Sequence, residues 1–560
     1  MMSEMPKNVA EMIVEMMVTS GIRRIYGIPG DSIDPLVEAV RKNPGIKYVQ
    51  TRHEEGAAFA ASFDAKYNGK PSACFGTSGP GSIHLLNGLY DAKLDHAPVL
   101  AVTGQVARDL VGRDYHQEVD MTKLFADVAL YNRLLLNASS APLIVSRAIK
   151  EAVLHSGVAH LNVPVDLLMD ETDAPIHELV RMPEVTYYPD LERTVQIVNR
   201  SKRPVIIIGN GSRSASRPLG DLSAKIGAPI VYALGGKGIL PDDDPRVMGG
   251  LGLLGTRPSV DAVKKADLIL MIGTSFPYYK FIPEGKPVIQ VDIREDALGS
   301  QIPLAESVVE DARSFTERLT SLVAAKENKF FMDLEEDRNN WNRELERQES
   351  ERASGINPKL LSKLLSEEAD RDSIVVADTG NTTVWIARHY RASGSNRFLF
   401  SGALASMGDS IPGSIGVSLS TGKQVISAVG DGGFAMTMME LSTIIKYGLP
   451  VKIIVFNNRK LGMIKFEQEV LGYPQWGIDL RNPDFVLIAE AFGIPASRIE
   501  EGDNLKEGIR RMIAAKGPYL LEAITDPNSR PMPPVLTLSQ AKGYAVASIR
   551  ERIGYTPEVE

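Results

Sequence analysis

The sequence contains almost no cysteine, with Cys74 the single one among 560 residues. One thiol excludes an intramolecular disulfide, so no disulfide framework defines the fold. Cys74 lies in the apolar run Ser72-Ala73-Cys74-Phe75, which is typical of a buried strand. Because buried cysteines behave as small hydrophobes, we expect a packed, inert thiol; a reactive thiol is the alternative.

The chain also lacks long hydrophobic runs and a basic surplus. No segment approaches the roughly 20 apolar residues that a membrane-spanning helix needs. Charged residues interrupt every apolar run before Ile25, which argues against a signal peptide. The formal net charge of −8 gives no electrostatic footprint for nucleic acid. We therefore expect a cytoplasmic protein without a nucleic-acid partner, and peripheral contact with a membrane stays an open alternative.

Length and pattern indicate three domains. Domains usually hold roughly 100–200 residues, and short apolar runs alternate with helix-like stretches in three successive series. Such alternation is typical of a parallel sheet with helices on both faces. The predicted fold class is α/β, with three doubly wound parallel-sheet domains. The predicted boundaries are 1–180, 190–340 and 355–530, followed by a tail at 531–560.

The most informative segment runs from Val425 to Asn458. The apolar strand Val425–Val429 ends in Gly430-Asp431-Gly432-Gly433, a helix-like run covers Met436–Tyr447, and a second strand ends in Asn457-Asn458. One βαβ crossover thus separates Asp431 from Asn458. Both side chains are therefore expected at the carboxyl ends of parallel strands, where open α/β sheets bind ligands.

Asp431 and Asn458 offer the hard oxygen atoms that Mg²⁺ prefers. Mg²⁺ takes few protein ligands and fills its octahedron with phosphate oxygens and water. The glycines beside Asp431 let the backbone approach a diphosphate closely. The alternative is an ordinary strand-to-helix turn with a capping aspartate. The paired asparagines at this spacing favour a site for Mg²⁺ and a diphosphate.

This pattern resembles the signature of thiamine-diphosphate enzymes. The resemblance extends over nearly the whole chain and is strongest to pyruvate oxidases and pyruvate:quinone oxidoreductases, with acetolactate synthases next. It implies an N-terminal domain that binds the aminopyrimidine, a central domain that binds FAD and a C-terminal domain that binds the diphosphate. The cofactors it implies are thiamine diphosphate, Mg²⁺ and FAD.

The run Thr51-Arg52-His53-Glu54-Glu55 resembles the activating segment of that family, with Glu54 at the functional position. A carboxylate bonded to the aminopyrimidine favours the imino tautomer, which can take the thiazolium C2 proton; the protein orients and tunes the cofactor. Without the resemblance, Glu54 would simply begin a helix, where acids are favoured. In the family this glutamate reaches the cofactor across a dimer interface. A homo-oligomer is therefore implied, at least a dimer, and relatives are often tetramers.

The resemblance also implies a substrate pocket for pyruvate or a related 2-keto acid. Gln117 matches a residue that points at the substrate carbonyl or carboxylate. His116 replaces the usual phenylalanine, and it either donates a hydrogen bond or fills space. Met463 and Glu467 match positions that border the substrate and the flavin. The catalytic candidates are Glu54, His116, Gln117, Met463 and Glu467.

The remaining matches lie at the cofactors. Met407 matches a hydrophobic wedge that bends thiamine, and the backbone carbonyl of Lys460 completes the metal shell of Asp431 and Asn458. The residues implied at thiamine diphosphate are Glu54, Gly380, Leu404, Ala405, Ser406, Met407, Asp431, Gly432, Gly433, Asn458, Arg459, Lys460, Leu461, Gly462, Met463 and Ile464. Those implied at FAD are Gly209, Gly211, Leu251, Gly252, Leu253, Leu254, Thr274, Ser275, Phe276, Pro277, Tyr278 and Asp292. The Gly-x-Gly turn at 209–211 alone is a weak signal, because Ser214 replaces the third glycine of a dinucleotide fingerprint.

The resemblance leaves two activities open. In the first, pyruvate loses CO₂ on thiamine, the resulting enamine gives two electrons to FAD, and acetate or acetyl phosphate leaves. In the second, the enamine attacks another 2-keto acid, as in acetolactate synthases. Thr274–Tyr278 and Glu467 favour the redox activity, whereas Thr103–Val106 and His116–Asp120 are closer to the synthases. A catalytically dead subunit is a third alternative, against which the retained Glu54, Asp431 and Asn458 argue.

The electron acceptor is also open. Quinone-linked relatives carry a C-terminal amphipathic segment that binds membranes, and the residues after Arg550 do not resemble it. We expect oxygen or a soluble carrier as readily as a quinone.

Overall fold

The computed structural model describes residues 7–173, 188–276, 278–327 and 329–535, together with residues 542, 543 and 546. Within these residues the chain forms three six-stranded sheets and one short two-stranded pair, Lys7–Asn8 with Glu171–Thr172. Neighbouring strands of all three large sheets run parallel, and helices flank each sheet. The predicted α/β class with three parallel sheets is confirmed.

The first sheet has the strand order Lys47–Gln50, Arg24–Gly27, Ser72–Gly76, Val99–Gln105, Val158–Pro164 and Tyr131–Leu134. Its helices are Val9–Thr19, Asp34–Lys42, Glu54–Asn68, Pro80–His84, Leu86–Leu94, Met121–Leu124, Ala141–Leu154 and Val165–Met169. Cys74 is fully buried in its central region. Burial raises the pKa of the Cys74 thiol, and the expected packed cysteine is confirmed.

The second sheet has the order Val247–Gly250, Ile230–Tyr232, Pro204–Ile208, Leu268–Ile272, Val288–Asp292 and Glu306–Val309. Its α-helices are Glu192–Arg200, Ser216–Ile226, Arg257–Lys265 and Ala312–Leu322, and 3₁₀ turns lie at Asn210–Ala215, Leu234–Gly236, Tyr279–Phe281 and Glu295–Ala297. The long helix Lys329–Glu349 then leads to the third sheet and buries only a few side chains, including Phe330 and Leu345.

The third sheet has the order Arg397–Leu399, Ile374–Ala377, Val425–Gly430, Val451–Asn457, Tyr519–Ile524 and Ala496–Ile499. Its helices are Pro358–Glu368, Asn381–His389, Ser410–Thr421, Asp431–Thr437, Leu441–Tyr447, Gly462–Val470, Phe485–Ala491 and Leu505–Ala514. The predicted bounds of the helix at Met436–Tyr447 are wrong at its start. It begins at Asp431 and is interrupted by a 3₁₀ turn, Met438–Glu440, where the Glu440 side chain bonds to another sheet's loop.

The first and third sheets meet through two closely packed helices, Glu54–Asn68 and Ser410–Thr421. A Cβ atom at Gly416 would lie 2.1 Å from the Ala60 carbonyl oxygen, so only glycine allows this approach. The N-terminus of the first helix, where Glu54 lies, is thereby held against the C-terminal domain. Among the described residues, no helix has the length and apolar character needed to cross a membrane.

Candidate active site

Asp431 and Asn458 lie at the ends of adjacent strands, as predicted. The strands Val425–Gly430 and Val451–Asn457 pair in parallel, with Gly430 opposite Phe456. Asp431 follows the first strand and begins a helix, and Asn458 follows the second. The crossover therefore brings a carboxylate and an amide to one edge of the sheet.

Asn482 ties these strand ends together. Its amide nitrogen donates to Asp431 Oδ2 at 2.6 Å and to Asn457 Oδ1 at 3.0 Å. Asn457 in turn donates to Glu522 Oε1 at 2.7 Å. Sequence reasoning missed Asn482, because it is 51 positions from Asp431 and belongs to no motif.

The buried Asp431 carboxylate suits a cation. Only 2% of the residue is exposed, and among the described residues no lysine or arginine forms an ion pair with it. Burial raises the pKa of Asp431 to about 6, although the hydrogen bond from Asn482 opposes the rise. A bound cation would stabilise the charged form of this carboxylate. The oxygen donors at this edge therefore fit Mg²⁺.

Three glycines allow the loops beside this edge to pack closely against one another. A Cβ at Gly433 would lie 2.4 Å from Asp378 Oδ1, and one at Gly462 would lie 2.4 Å from Asn381 Nδ2 and 2.7 Å from Asn458 Nδ2. A Cβ at Gly432 would approach Leu461 Cδ2 to 3.2 Å and Met407 Sδ to 3.6 Å. Within the described residues, the buried Asn381 Oδ1 has no hydrogen-bond partner. The loops therefore form a close-packed cradle, and the orphan oxygen, a hydrogen-bond acceptor, suits a cation or a donor group rather than a phosphate oxygen.

The loop Leu404–Gly408 faces the same cradle. Asp378 accepts hydrogen bonds from the backbone of Gly408 at 3.0 Å and Ser410 at 3.1 Å. Ala405 has a φ of +56°, an uncommon conformation for a residue with a side chain. Asn87 donates to Ser406 Oγ at 3.0 Å. The loop is thus fixed on both sides, with Met407 beside Gly432.

Beyond Asn458 the chain turns sharply into the helix Gly462–Val470. Arg459 has a φ of +57°, and the backbone nitrogen of Lys460 donates to Asn458 Oδ1 at 3.0 Å. Met463 is partly buried, while Ile464 and Glu467 are exposed. Gly380, Leu461 and Gly462 border this turn, because Gly380 caps the helix that carries Asn381.

Glu54 is a buried acid of the N-terminal domain. It is 7% exposed and begins the helix Glu54–Asn68, which His53 caps by accepting a hydrogen bond from Glu55. Glu54 Oε2 lies 3.0 Å from His84 Nδ1, and the His84 ring stacks on His53 at 4.3 Å. A Cβ at Gly81 would lie 3.0 Å from Glu54 Oε1, so the glycine-rich turn at residues 76–81 packs against this carboxylate. Sequence reasoning did not find His84.

Gln117 lies beside the same turn. Its carbonyl oxygen accepts from Ser78 Oγ at 2.8 Å, and its φ of +62° is left-handed. The Glu118 carboxylate accepts from the backbone of Gly112, and from Arg113 and Tyr115 at 3.2 Å each. These bonds hold the loop, on which His116 is exposed. The structure therefore brings Gln117 close to the Glu54 region and leaves His116 at the surface of the chain.

Most of the residues expected at FAD meet at the carboxyl edge of the second sheet. A Cβ at Gly209 would lie 2.5 Å from Thr274 Cβ, and one at Gly211 would lie 2.9 Å from Gly273 Cα. Asp292 ends a neighbouring strand, and burial raises the pKa of its carboxyl group. Such an edge is where open α/β sheets bind ligands.

The segment Leu251–Leu254 joins this edge. Gly252 has a φ of +110°, and a Cβ there would lie 3.4 Å from Tyr278 Cδ2. The rings of Tyr278 and Phe276 contact edge to face at 6.1 Å. Leu251 is buried and Leu253 is half exposed. Ser275 is partly exposed, and Pro277 lies outside the described residues. The contact of Gly252 with Tyr278 thus joins Leu251–Leu254 to the edge that carries Thr274.

The comparisons with known proteins agree with this arrangement. Residues 7–124 match the family described as thiamine pyrophosphate enzyme, N-terminal TPP binding domain. Residues 191–319 match its central domain, and residues 378–523 match its C-terminal TPP binding domain. Each matched range contains strands of one of the three parallel sheets.

Full-length relatives point the same way. The chain is 38% identical to a Bacillus subtilis protein named "putative thiamine pyrophosphate-containing protein", over 96% of this chain and 95% of that protein. It is 32% identical to a pyruvate oxidase of Lactiplantibacillus plantarum, over 93% and 89%. It is 30% identical to a chloroplastic acetolactate synthase of Zea mays, over 94% and 87%. The chain therefore belongs to the thiamine pyrophosphate enzyme family.

Proposed function

We propose that the protein is a flavin-linked pyruvate oxidase that uses thiamine diphosphate, Mg²⁺ and FAD. It decarboxylates pyruvate or a related 2-keto acid to CO₂ and acetate or acetyl phosphate. The electrons pass to FAD and then to oxygen or another acceptor. In this proposal residues 1–180 bind the aminopyrimidine, 190–340 bind FAD, 355–530 bind the diphosphate, and 531–560 form a tail.

The proposal rests on the contact between the C-terminal domain and the edge of the second sheet where the residues expected at FAD lie. Leu254 and Leu234 of the second sheet's loops pack against the buried cluster of the C-terminal domain, and Met463 packs against the same cluster. Met463 follows the strand end that carries Asn458. A flavin along Leu251–Leu254 would thus lie against the domain that carries Asp431 and Asn458.

The residues of the chain have distinct roles in this proposal. When bound, thiamine diphosphate supplies the C2 nucleophile for the keto acid and accepts the electrons released by decarboxylation. Asp431, Asn458 and the Lys460 carbonyl would hold Mg²⁺, and Mg²⁺ would anchor the diphosphate. Glu54 would accept a hydrogen bond from the aminopyrimidine, and Met407 would pack against the bound cofactor.

Substrate contacts come from two subunits. We place Glu54, His116 and Gln117 of one subunit opposite Met463 and Glu467 of its partner in a homodimer, which pairs further into a tetramer. The exposure of His116, Ile464 and Glu467 in the single chain supports this arrangement. The Gln117 amide orients the keto acid, and the His116 imidazole reaches the acyl group.

Acetolactate synthesis is the second candidate. The synthase-like segment Thr103–Val106 contains Gln105, which is 2% exposed. Gln105 donates to the Val119 carbonyl at 2.9 Å and accepts from Ser78 Oγ at 3.2 Å. Gln105 thereby fixes the loop that carries Gln117. A synthase-like residue thus supports the loop of the expected substrate pocket, and this contact favours the synthase activity.

A product balance separates the two candidates. Purified protein with thiamine diphosphate, Mg²⁺ and FAD is incubated with pyruvate in air, with and without phosphate. We expect one acetate or acetyl phosphate for each CO₂, with peroxide when oxygen is the acceptor. Acetolactate as the main product, at one per two pyruvates, would instead establish the synthase.

A further inference from the structure

We propose that Arg388 is a positioning residue that fixes the flavin segment Leu251–Leu254 relative to the thiamine-binding domain. Arg388 belongs to the C-terminal domain, whereas the segment belongs to the central domain. The inference rests on the proposed function, because the segment matters only if FAD binds there.

The contacts of Arg388 are all with backbone carbonyls. Nε donates to the carbonyls of Leu254 and Gly255, each at 3.1 Å, and Nη2 donates to that of Leu253 at 3.1 Å. Nη1 donates to the carbonyl of Met532 at the start of the tail. One guanidinium therefore binds the three successive carbonyls of Leu253, Leu254 and Gly255.

This arrangement is unusual for a buried cation. Arg388 is 8% exposed, and burial lowers its pKa to about 10. Among the described residues, no carboxylate forms an ion pair with it. Buried charges are normally paired, so a guanidinium held only by carbonyls bears a desolvation cost. An arginine suits this position because its planar guanidinium carries five N–H donors and can bind several carbonyl oxygens at once.

Arg388 is rigidly linked to the thiamine site. Gly380 caps the N-terminus of the helix Asn381–His389, and Asn381 lies beside Gly462 at the thiamine cradle. Arg388 lies in the last turn of the same helix. Seven residues at about 1.5 Å per residue place it about 10 Å along the axis from Asn381. One short helix thus connects the thiamine loop with the flavin segment.

Among the described residues, Arg388 forms side-chain hydrogen bonds from the C-terminal domain to the flavin segment, and Leu254 also packs against that domain. The residues around the segment form a tight turn, since Gly255 donates to the Gly252 carbonyl at 3.1 Å and Thr256 donates to the Gly250 carbonyl at 2.8 Å. Gly252 is in a left-handed conformation against Tyr278. Arg388 therefore decides how this preformed turn is oriented toward the thiamine domain.

The test compares FAD binding by the wild type and by Arg388→Met, Arg388→Lys and Arg257→Met. Protein stripped of flavin and saturated with thiamine diphosphate and Mg²⁺ is titrated with FAD, and quenching of flavin fluorescence gives Kd. Arg257 is the control: it borders the same segment, but its side chain is 72% exposed and lies 3.7 Å from Asp261. Binding of thiamine diphosphate and the melting temperature without FAD are measured in parallel.

We expect Arg388→Met to weaken FAD binding about ten- to a hundredfold, as for the loss of one charge-assisted hydrogen bond or more. Thiamine diphosphate binding and the Arg257→Met variant should match the wild type. Arg388→Lys should recover part of the affinity, because an ammonium keeps three donors. It also replaces the Met variant if that one does not fold.

Two outcomes contradict the inference in different ways. FAD affinity that is unchanged in both Arg388 variants, even with a lower melting temperature, leaves Arg388 a purely structural residue and overturns the inference alone. A wild type that binds no FAD overturns the proposed flavin function, and the inference with it.

Discussion

Glu440 should control the position of the activating Glu54, although it lies in a different domain. It is fully buried in the turn Met438–Glu440. Its Oε1 accepts from the backbone of Arg52 at 2.9 Å and of His53 at 3.1 Å, the two residues that precede Glu54. Its Oε2 accepts from Thr443 Oγ1 at 2.5 Å. Replacement by alanine removes all three contacts.

The magnitude follows from the groups left without partners. A buried donor without an acceptor costs about 1–3 kcal/mol, so the two backbone N–H groups of Arg52 and His53 together cost about 2–6 kcal/mol in Glu440→Ala. A Cβ at Gly56 would lie 2.7 Å from Glu440 Oε1, so the carboxylate is closely packed; a water that enters the space left by it would reduce this cost. Glu440→Gln keeps an oxygen for both N–H groups and should lose much less stability.

The assay has two readouts. Chemical denaturation gives the free energy of unfolding, and steady-state kinetics with saturating thiamine diphosphate gives kcat. We expect Glu440→Ala to lower kcat by at least about tenfold, because small displacements of a reacting group cost rate steeply. Glu440→Gln should stay near the wild type, as should Glu490→Ala, an exposed acid of the same domain. Wild-type stability and kcat in Glu440→Ala would refute the reasoning.

Further predictions concern the metal edge and the substrate loop. Asp431→Ala should abolish the Mg²⁺ dependence of thiamine diphosphate binding in calorimetric titrations, whereas Asp479→Ala, an acid that pairs with Lys460 at the surface, should keep it. Asn482→Ala should weaken Mg²⁺ binding about tenfold, since such supporting residues typically contribute that much; equal affinity would remove its bridging role. Glu118→Gln should raise KM for pyruvate more than it lowers kcat, because Glu118 shapes the loop of Gln117; an unchanged KM would contradict this.

The interior strands were predictable because they are apolar and end in recognisable turns. The strand predicted at Val425–Val429 is longer by one residue in the structure, Val425–Gly430, and Leu268–Ile272 and Ile374–Ala377 are apolar runs of the same kind. Both faces of such strands are covered by helices, so continuous apolar runs mark them. The order of Asp431 and Asn458 at neighbouring strand ends followed from the same pattern.

Six strands of the three large sheets gave no comparable signal. Five of them lie at sheet edges, where burial is incomplete and polar residues are tolerated: Tyr131–Leu134, Val247–Gly250, Glu306–Val309, Arg397–Leu399 and Ala496–Ile499. The sixth, Val158–Pro164, is central, but His160 and Asn162 interrupt its apolar pattern. His160 bonds to Thr103 Oγ1 at 2.7 Å and to Asn132 at 2.8 Å. These hydrogen bonds allow polar side chains to be buried inside the sheet, whereas their residue types alone predict exposed positions.

The supporting residues of the site could not be predicted from local sequence. Glu440 reaches a backbone 388 positions away, and Arg388 grips carbonyls 133–135 positions away. Each acts through backbone groups, which leave no trace in the residue types of the partner segment. The motif residues were found because their chemistry is local, whereas these contacts depend on how the domains pack.

In the proposed function, electrons from pyruvate reach a flavin in the same protein. Anaerobic mixing of pyruvate with protein that holds thiamine diphosphate, Mg²⁺ and FAD tests this, while the visible absorbance of the flavin is followed. We expect bleaching of the oxidised flavin, one flavin per pyruvate, which Glu54→Gln slows strongly. A flavin that stays oxidised while pyruvate is consumed would show that the electrons do not reach it.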